Sequence, residues 1–424
     1  MPRFFMAKTI SIISLGCPRN LVDSEKLVSE FTKKGYVFHE DALHADAVIV
    51  NTCAFIEDAK KESIDNILRI IDAKKEGRVK RVIVAGCLSE RYKNELADDL
   101  KEVDEFRGVL NFSRSEAQNP VLKMTPGHYA YIKISEGCAN KCTYCVIPRL
   151  KGNYKSRAFG PTIKEAAQLI DKGVKELILI GQDTSLYGVD LYGKKRLGCL
   201  LKELAEISKD IWIRLLYLHP ANLDKEVINV IRDNENICRY IDLPLEHISD
   251  RILTQMRRRT SKKKAVSLIE YIRKEIPLVS IRTSLIVGFP GETEKEFKEL
   301  VSFAKEMKFE RLGVFKYSRE EGTPACSYKN QISEKEKQRR FDHIMSAQQD
   351  VSRKINEKFK GKVLKVLIEE KSKDCYLGRT EYDAPEIDGQ VYVEGKNLKI
   401  GNFYNIKITD AYEYDLTGEY ESGK

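Results

Sequence analysis

Cys138, Cys142 and Cys145 follow one another as Cys-x3-Cys-x2-Cys, three thiols within eight positions. Three thiolates can each bind one iron of a 4Fe-4S cluster and leave the fourth iron open to an outside ligand. Where that ligand is S-adenosylmethionine (SAM), held through its amino and carboxylate groups, an electron passed into the sulfonium yields a 5′-deoxyadenosyl radical. The competing reading is half of a zinc site. Structural zinc takes four protein ligands in paired spacings, and no second Cys-x2-Cys or His-x3-His lies nearby. The triplet is therefore read as a redox-active, radical-generating cluster site.

Cys17, Cys53 and Cys87 form a second, more widely spaced set. They close the short β-branched runs 9–16 (TISIISLG), 47–53 (AVIVNTC) and 81–87 (RVIVAGC), the first by one residue. Polar stretches with helical spacing follow: a first helix opening at Asp23 or Ser24, a second over Glu57 to Lys75 and a third over Ser89 to Leu100. This is βαβ rhythm. The carboxyl ends of parallel strands gather at one crevice, which would bring the three thiols together as ligands of a second cluster, again with one iron free. Each alone reads as a buried core thiol; the repeated placement favours ligation. Asn51, Thr52 and Gly86 beside them are small or polar, as close approach of backbone N–H groups requires.

Ser, Asn, Pro and Gly break the pattern over 112–127. Strand-like runs then recur at 129–135, 176–181, 211–218, 240–245, 281–289 and 311–317, with helical segments between them. Six βα units predict a partial TIM-like barrel. A charged amphipathic helix over Ser333 to Lys360 precedes short strands in KVLKVLIEE, CYLGRT, QVYVEG and FYNIKITDAY, which suit a small β-barrel. The expected architecture is α/β: an open parallel sheet over residues 1–125, a (βα)6 barrel over 126–358 and an all-β barrel over 359–424.

Barrel chemistry collects at the carboxyl ends of the strands. Tyr144, inside the Cys triplet, is a candidate for the adenine of SAM, and Gly181-Gln182-Asp183, at a strand end, for its methionyl part. Asp183 reads equally as the cap of the following turn. Gly288-Phe289-Pro290-Gly291-Glu292 lacks the Gly-Lys-Ser/Thr of a phosphate loop, and Thr293 to Glu296 reads as a capping box. His219 and His247 with Ser249 and Asp250 lack a nucleophile elbow; both histidines read as barrel-mouth or structural residues. Arg257-Arg258-Arg259 with Lys262-Lys263-Lys264 is read as a solvated basic face with rRNA contact as the alternative. Cys199, Cys238, Cys326 and Cys375 are assigned to packing.

Ten cysteines among 424 residues are too few for a disulfide scaffold, and no apolar run approaches the ~20 residues of a membrane span, which points to the reducing cytoplasm. Pro2-Arg3-Phe4-Phe5 with Ile10 to Cys17 faintly resembles a lipoprotein leader, but Lys8 interrupts it. The formal net charge of +9 permits nucleic-acid or ribosome association. Residues 361–424 carry nine Lys and Arg against thirteen Asp and Glu, an acidic tail on a basic body. Such a tail suits a basic protein partner better than RNA.

These residues together resemble the methylthiotransferase family of radical SAM enzymes over essentially the whole chain. The resemblance rests on SLGCPRNLVDSE (14–25), NTCAFI (51–56), YAYIKISEGCANKCTYCVIP (129–148), GQDTSLYG (181–188), YLHP (217–220) and YSREEGTPA (317–325). Pro18 stands where the tRNA-modifying branch usually carries Gln, so the branch acting on ribosomal protein S-twelve is the nearer match. That resemblance implies a cluster domain, a radical SAM domain and a TRAM domain. It also implies addition of a methylthio group to the β-carbon of an aspartyl residue of that protein. One SAM would supply the methyl group and another the radical, with two 4Fe-4S clusters, an electron donor and a sulfur source. Arg19 stands in place of the family's Lys, and Glu246 in place of a frequent Gln. The alternatives are a tRNA adenosine methylthiotransferase and a non-catalytic iron–sulfur or zinc protein that binds nucleic acid or carries electrons.

Overall fold

The computed structural model describes residues 7–116 and 122–420. Pro2 to Phe5 of the leader-like start and part of the 112–127 break lie outside the described residues.

Thr9–Ser14, Ala47–Thr52 and Arg81–Gly86 lie side by side in a parallel five-stranded sheet whose outer strands are Val37–Phe38 and Glu105–Phe106. Ala47–Thr52 is buried along its whole length, because the central strand of a parallel sheet is covered on both faces. The helix Glu57–Lys75 has the bounds read from the sequence. The first helix instead opens at Pro18, whose fixed φ and missing N–H suit the first helical turn, so Asp23 and Ser24 lie inside it. The third is broken at Tyr92 into Cys87–Arg91 and Lys93–Asp99.

The six expected strands are present as two parallel three-stranded sheets. Tyr129–Lys133, Glu176–Ile180 and Trp212–Leu215 form one; Tyr240–Asp242, Ser280–Val287 and Arg311–Lys316 form the other. An Ile213–Ile237 bridge joins the arcs, and their outer faces bury an aliphatic core beneath the helices. Thr293 and Glu296 close the expected capping box.

Residues 363–419 form a closed five-stranded barrel. Its fifth strand, Leu416–Glu419, has no alternating apolar pattern in LTGE and was not foreseen. The loop 380–388 of this barrel seals the amino-terminal end of the larger one. Tyr129 and Tyr240 donate their hydroxyls to Glu386 (2.9 Å) and Asp388 (2.6 Å). Arg311 pairs with Asp383, Arg214 donates to the carbonyl of Glu381, and the Glu381 carboxylate accepts the Arg239 N–H. Glu176, wholly buried, binds Arg214 and Arg379 at 2.6 Å each.

This corrects the reading of the acidic tail. Glu369, Glu381, Asp383, Glu386 and Asp388, with Arg379, belong to this seam. Of the thirteen carboxylates and nine cations in 361–424, eight of each remain. The acidic surplus answers the arginines of the chain's own barrel and gives no net charge for docking a basic partner.

Candidate active site

Both sets of thiols stand at carboxyl ends of parallel strands, on the side of the large barrel away from the sealed end. Cys53 and Cys87 directly follow their strands, and Cys17 caps the helix that begins at Pro18. Gly16, at φ +88°, lets the backbone pass Cys53 so closely that an added Cβ would lie 2.9 Å from its Sγ. Gly86, at φ +92°, leaves no room for a Cβ against Asn51 and Thr52. Asn20 donates to the carbonyls of Leu15 and Thr52 at 2.9 Å each, tying two of these strand ends together.

Cys138, Cys142 and Cys145 line one cavity of about 250 Å³ with Tyr144, Gln182, His219, Glu246 and Arg258. Arg19 and Phe55, neighbours of Cys17 and Cys53, share its wall. Among the described residues, no three His, Cys, Asp or Glu side chains converge as they do on a single ion. A four-iron cluster binds each thiolate through a different iron, so its ligands stand apart from one another.

The Gly181-Gln182-Asp183 strand end is gripped from three sides. Arg19 donates to the Gly181 carbonyl (2.9 Å), and Gln182 donates to Glu136 (2.5 Å). Asp183 accepts from Asn140, inside the Cys triplet, and from Asn222, both at 2.7 Å. Its other oxygen caps the turn at Ser185, so both of its oxygens are engaged within the protein. The buried Gln182 Oε1 has no hydrogen-bond partner among the described residues, and Gly181 lies so close to Ser135 that a Cβ would strike its hydroxyl. A cavity walled by three thiols with one unanswered acceptor fits an iron–sulfur cluster with a polar, amine-bearing ligand.

Charged residues that sequence reasoning left aside complete the seam. Asp23 binds Lys133 (2.5 Å) and Lys151 (3.1 Å), and Lys133 also binds Glu136 (2.7 Å), all buried between the first sheet and the barrel. The basic run is not a wholly solvated face: Arg258 is buried, donating to the Pro244 carbonyl and toward Cys142, and Arg259 reaches Asn140. Burial, with Arg258 and Arg259 close by, pushes the imidazole of His219 down to about 2, so it stays neutral. His247 turns away from the cavity, accepting the Ser249 N–H.

Burial pushes up the thiols of Cys53, Cys138 and Cys145, and that of Cys87 to about 12. Burial is the largest single influence on Cys17 too, but there the Arg19 guanidinium, 3.4 Å from Sγ, and the backbone N–H groups of Arg19 and Asn20 together outweigh it and lower the thiol. In metal-free protein near pH 8, Cys17 is therefore expected to be alkylated by iodoacetamide roughly tenfold or more faster than these four. A mass-spectrometric time course checks this; equal rates would contradict it.

Residues 9–108 match the "Uncharacterized protein family UPF0004", residues 132–304 the "Radical SAM superfamily" and residues 361–420 the "TRAM domain". A solved TsrM methyltransferase from Kitasatospora setae, with cobalamin and a [4Fe-4S] cluster bound, superposes with a TM-score of 0.54 at 14% identity, over 76% of this chain and 74% of that one. That likeness is one of fold. Two curated proteins named "Ribosomal protein uS12 methylthiotransferase RimO" are 47% identical to the chain. The one from Clostridioides difficile matches over 97% of this chain and 98% of its own length. The one from Thermoanaerobacter sp. matches over 97% and 100%. Similarity of that depth along all three units means that the chain belongs to the RimO family of ribosomal protein uS12 methylthiotransferases, enzymes of the radical SAM superfamily.

Proposed function

We propose that the chain adds a methylthio group to the β-carbon of an aspartyl residue of ribosomal protein uS12. In this reading Cys138, Cys142 and Cys145 hold one 4Fe-4S cluster and Cys17, Cys53 and Cys87 another. The observation that carries it is one cavity wall shared by Cys138, Cys142 and Cys145 and by Arg19 and Phe55 of the unit bearing Cys17, Cys53 and Cys87. A cluster held by Cys138, Cys142 and Cys145 would supply the one-electron reduction of SAM on which radical chemistry at the substrate depends.

The chain's own residues bind and orient. Gln182 would offer its unpartnered Oε1 to SAM, Tyr144 would face the adenine, and Gly181 keeps the strand end close to Ser135. Asp183 acts through Asn140, holding the loop that carries the thiols. Arg19 and Arg258 line the cavity with one carboxyl, Glu246, which burial pushes toward its neutral form, while Arg282, also in the wall, is paired with Asp242. That balance favours carboxylates, those of an aspartyl substrate and of SAM, over an adenine base.

The reaction is assigned to the cytoplasm, with an electron donor and a sulfur source as further partners. Any rRNA contact of the basic run would fall to its exposed members, among them Arg257, Lys263 and Lys264. No helix among the described residues is long and apolar enough to cross a membrane. Mass spectrometry of uS12 and of digested tRNA, from cells with and without the gene, tests the substrate. A methylthio mass gain lost from uS12 is expected; one lost only from tRNA would overturn the assignment.

A further inference from the structure

Arg19 sits where the two thiol triplets come nearest to sharing a side chain. Its Nε points at Cys17 Sγ (3.4 Å), and the other arm of the guanidinium donates to the Gly181 carbonyl (2.9 Å), 162 positions along the chain. Its plane lies 4.3 Å from the centre of the Tyr217 ring. A guanidinium can do all three at once because its donors are fixed in one plane whose face stays free; an ammonium has no such fork.

Tyr217 is itself held in an unusual state. Its φ is +62°, a left-handed conformation that a bulky residue adopts only when its surroundings enforce it. The Asp242 carboxylate accepts its N–H (2.8 Å), and its carbonyl accepts the Thr184 N–H (3.0 Å). Arg282 fixes the other Asp242 oxygen at 2.8 Å. The platform beneath Arg19 is thus built into the barrel, while Arg19 belongs to the first helix of the other unit.

We propose that Arg19 is a positioning residue, which fixes the triplet Cys17, Cys53 and Cys87 in distance and orientation against the Gly181 strand end of the barrel. A sulfur-bearing group held by Cys17, Cys53 and Cys87 would then face the place where the substrate radical forms. The inference rests on the two-cluster reading above. It assigns the seam contact a task that reading lacks: coupling radical formation to sulfur delivery. Misplacement by about 1 Å can cost on the order of 10²-fold in a step between two held groups, so the consequence is large even where both clusters are intact.

The test uses full-length, anaerobically reconstituted enzyme as wild type, Arg19→Met and Arg19→Lys, with uS12 as substrate. Iron content, 5′-deoxyadenosine formed, methylthiolated uS12 formed and the magnetic coupling between the reduced clusters are measured together. With Arg19→Met, product per 5′-deoxyadenosine is expected to fall by roughly tenfold to a hundredfold with iron retained, and the coupling to change. Arg19→Lys, keeping the charge without the fork, is expected to fall between. An unchanged ratio and coupling in Arg19→Met would overturn the inference. So would loss of iron from the Cys17, Cys53 and Cys87 triplet, which would make Arg19 a cluster-retaining residue. Failure of the wild type to bind iron or cleave SAM would instead sink the two-cluster reading itself.

Discussion

Cys142→Ala is expected to abolish reductive cleavage of SAM, by on the order of 10³-fold or more, while Cys53→Ala leaves cleavage in place and removes methylthio transfer. The magnitude follows from the ligand count. Loss of an outer-shell partner of a metal site already costs about 10–100-fold, and in the proposed site one of only three thiolate anchors is removed. The difference between the variants follows from geometry: Cys142 lines the cavity with Tyr144 and Gln182, whereas Cys53 lies at the carboxyl end of the central strand of a separate sheet, packed against Gly16. Iron analysis, 5′-deoxyadenosine release and uS12 mass are the three measurements. Cys199 and Cys375, which do not line this cavity, serve as controls. SAM cleavage at the wild-type rate by Cys142→Ala would defeat the assignment.

The seam at the sealed end of the barrel gives the other large effect. Glu176 lies between Arg214 and Arg379, both as buried as itself, and Arg379 also binds Glu369. Glu176→Gln keeps the shape but leaves two buried guanidiniums facing each other with less than their full countercharge. Breaking a buried ion pair from one side costs about 3–5 kcal/mol, whereas replacing all partners by apolar residues is often nearly neutral. Glu176→Gln should therefore be strongly destabilising, and Glu176→Leu combined with Arg214→Met and Arg379→Met should recover most of the loss. The chain's single tryptophan reports the event directly, since Trp212 packs on Phe403 of the small barrel with ring centres 4.6 Å apart. Urea unfolding followed by its fluorescence measures both variants. A change below about 1 kcal/mol for Glu176→Gln would contradict this account of the seam.

The same carboxylates set an acid limit. Burial alone would raise Glu176 and Glu369. Arg379 and Arg214 outweigh it at Glu176, and His128 with Arg379 brings Glu369 down to about 2. A carboxyl held low in the folded state adds stability that is complete above its unfolded value, about 4.3, and is lost as the pH falls through the folded value. The Trp212 signal should therefore loosen between about pH 4 and pH 2. Asp388, raised by burial, works in the opposite sense and softens the transition.

What could be read from the residues alone was local or periodic. Cys138, Cys142 and Cys145 could be singled out because their spacing brings three thiols into one loop, and they line one cavity. Cys17, Cys53 and Cys87 could be gathered from afar because βαβ connectivity makes strands parallel and parallel strands end on one edge. The strand runs and the helix Glu57–Lys75 followed from periodicity in the same way.

The tertiary structure alone decided which way the charged side chains face. Nothing local distinguishes Arg258, buried beside Cys142, from Lys263 in solvent, or the acids that meet the barrel's arginines from those that meet water. Asp183 reads from sequence as a turn cap or a SAM contact, and only its neighbours Asn140 and Asn222 show that its second oxygen is engaged. A backbone element is fixed largely by its own residues. The partner of a buried charge comes from another part of the chain, because burial demands compensation wherever packing supplies it.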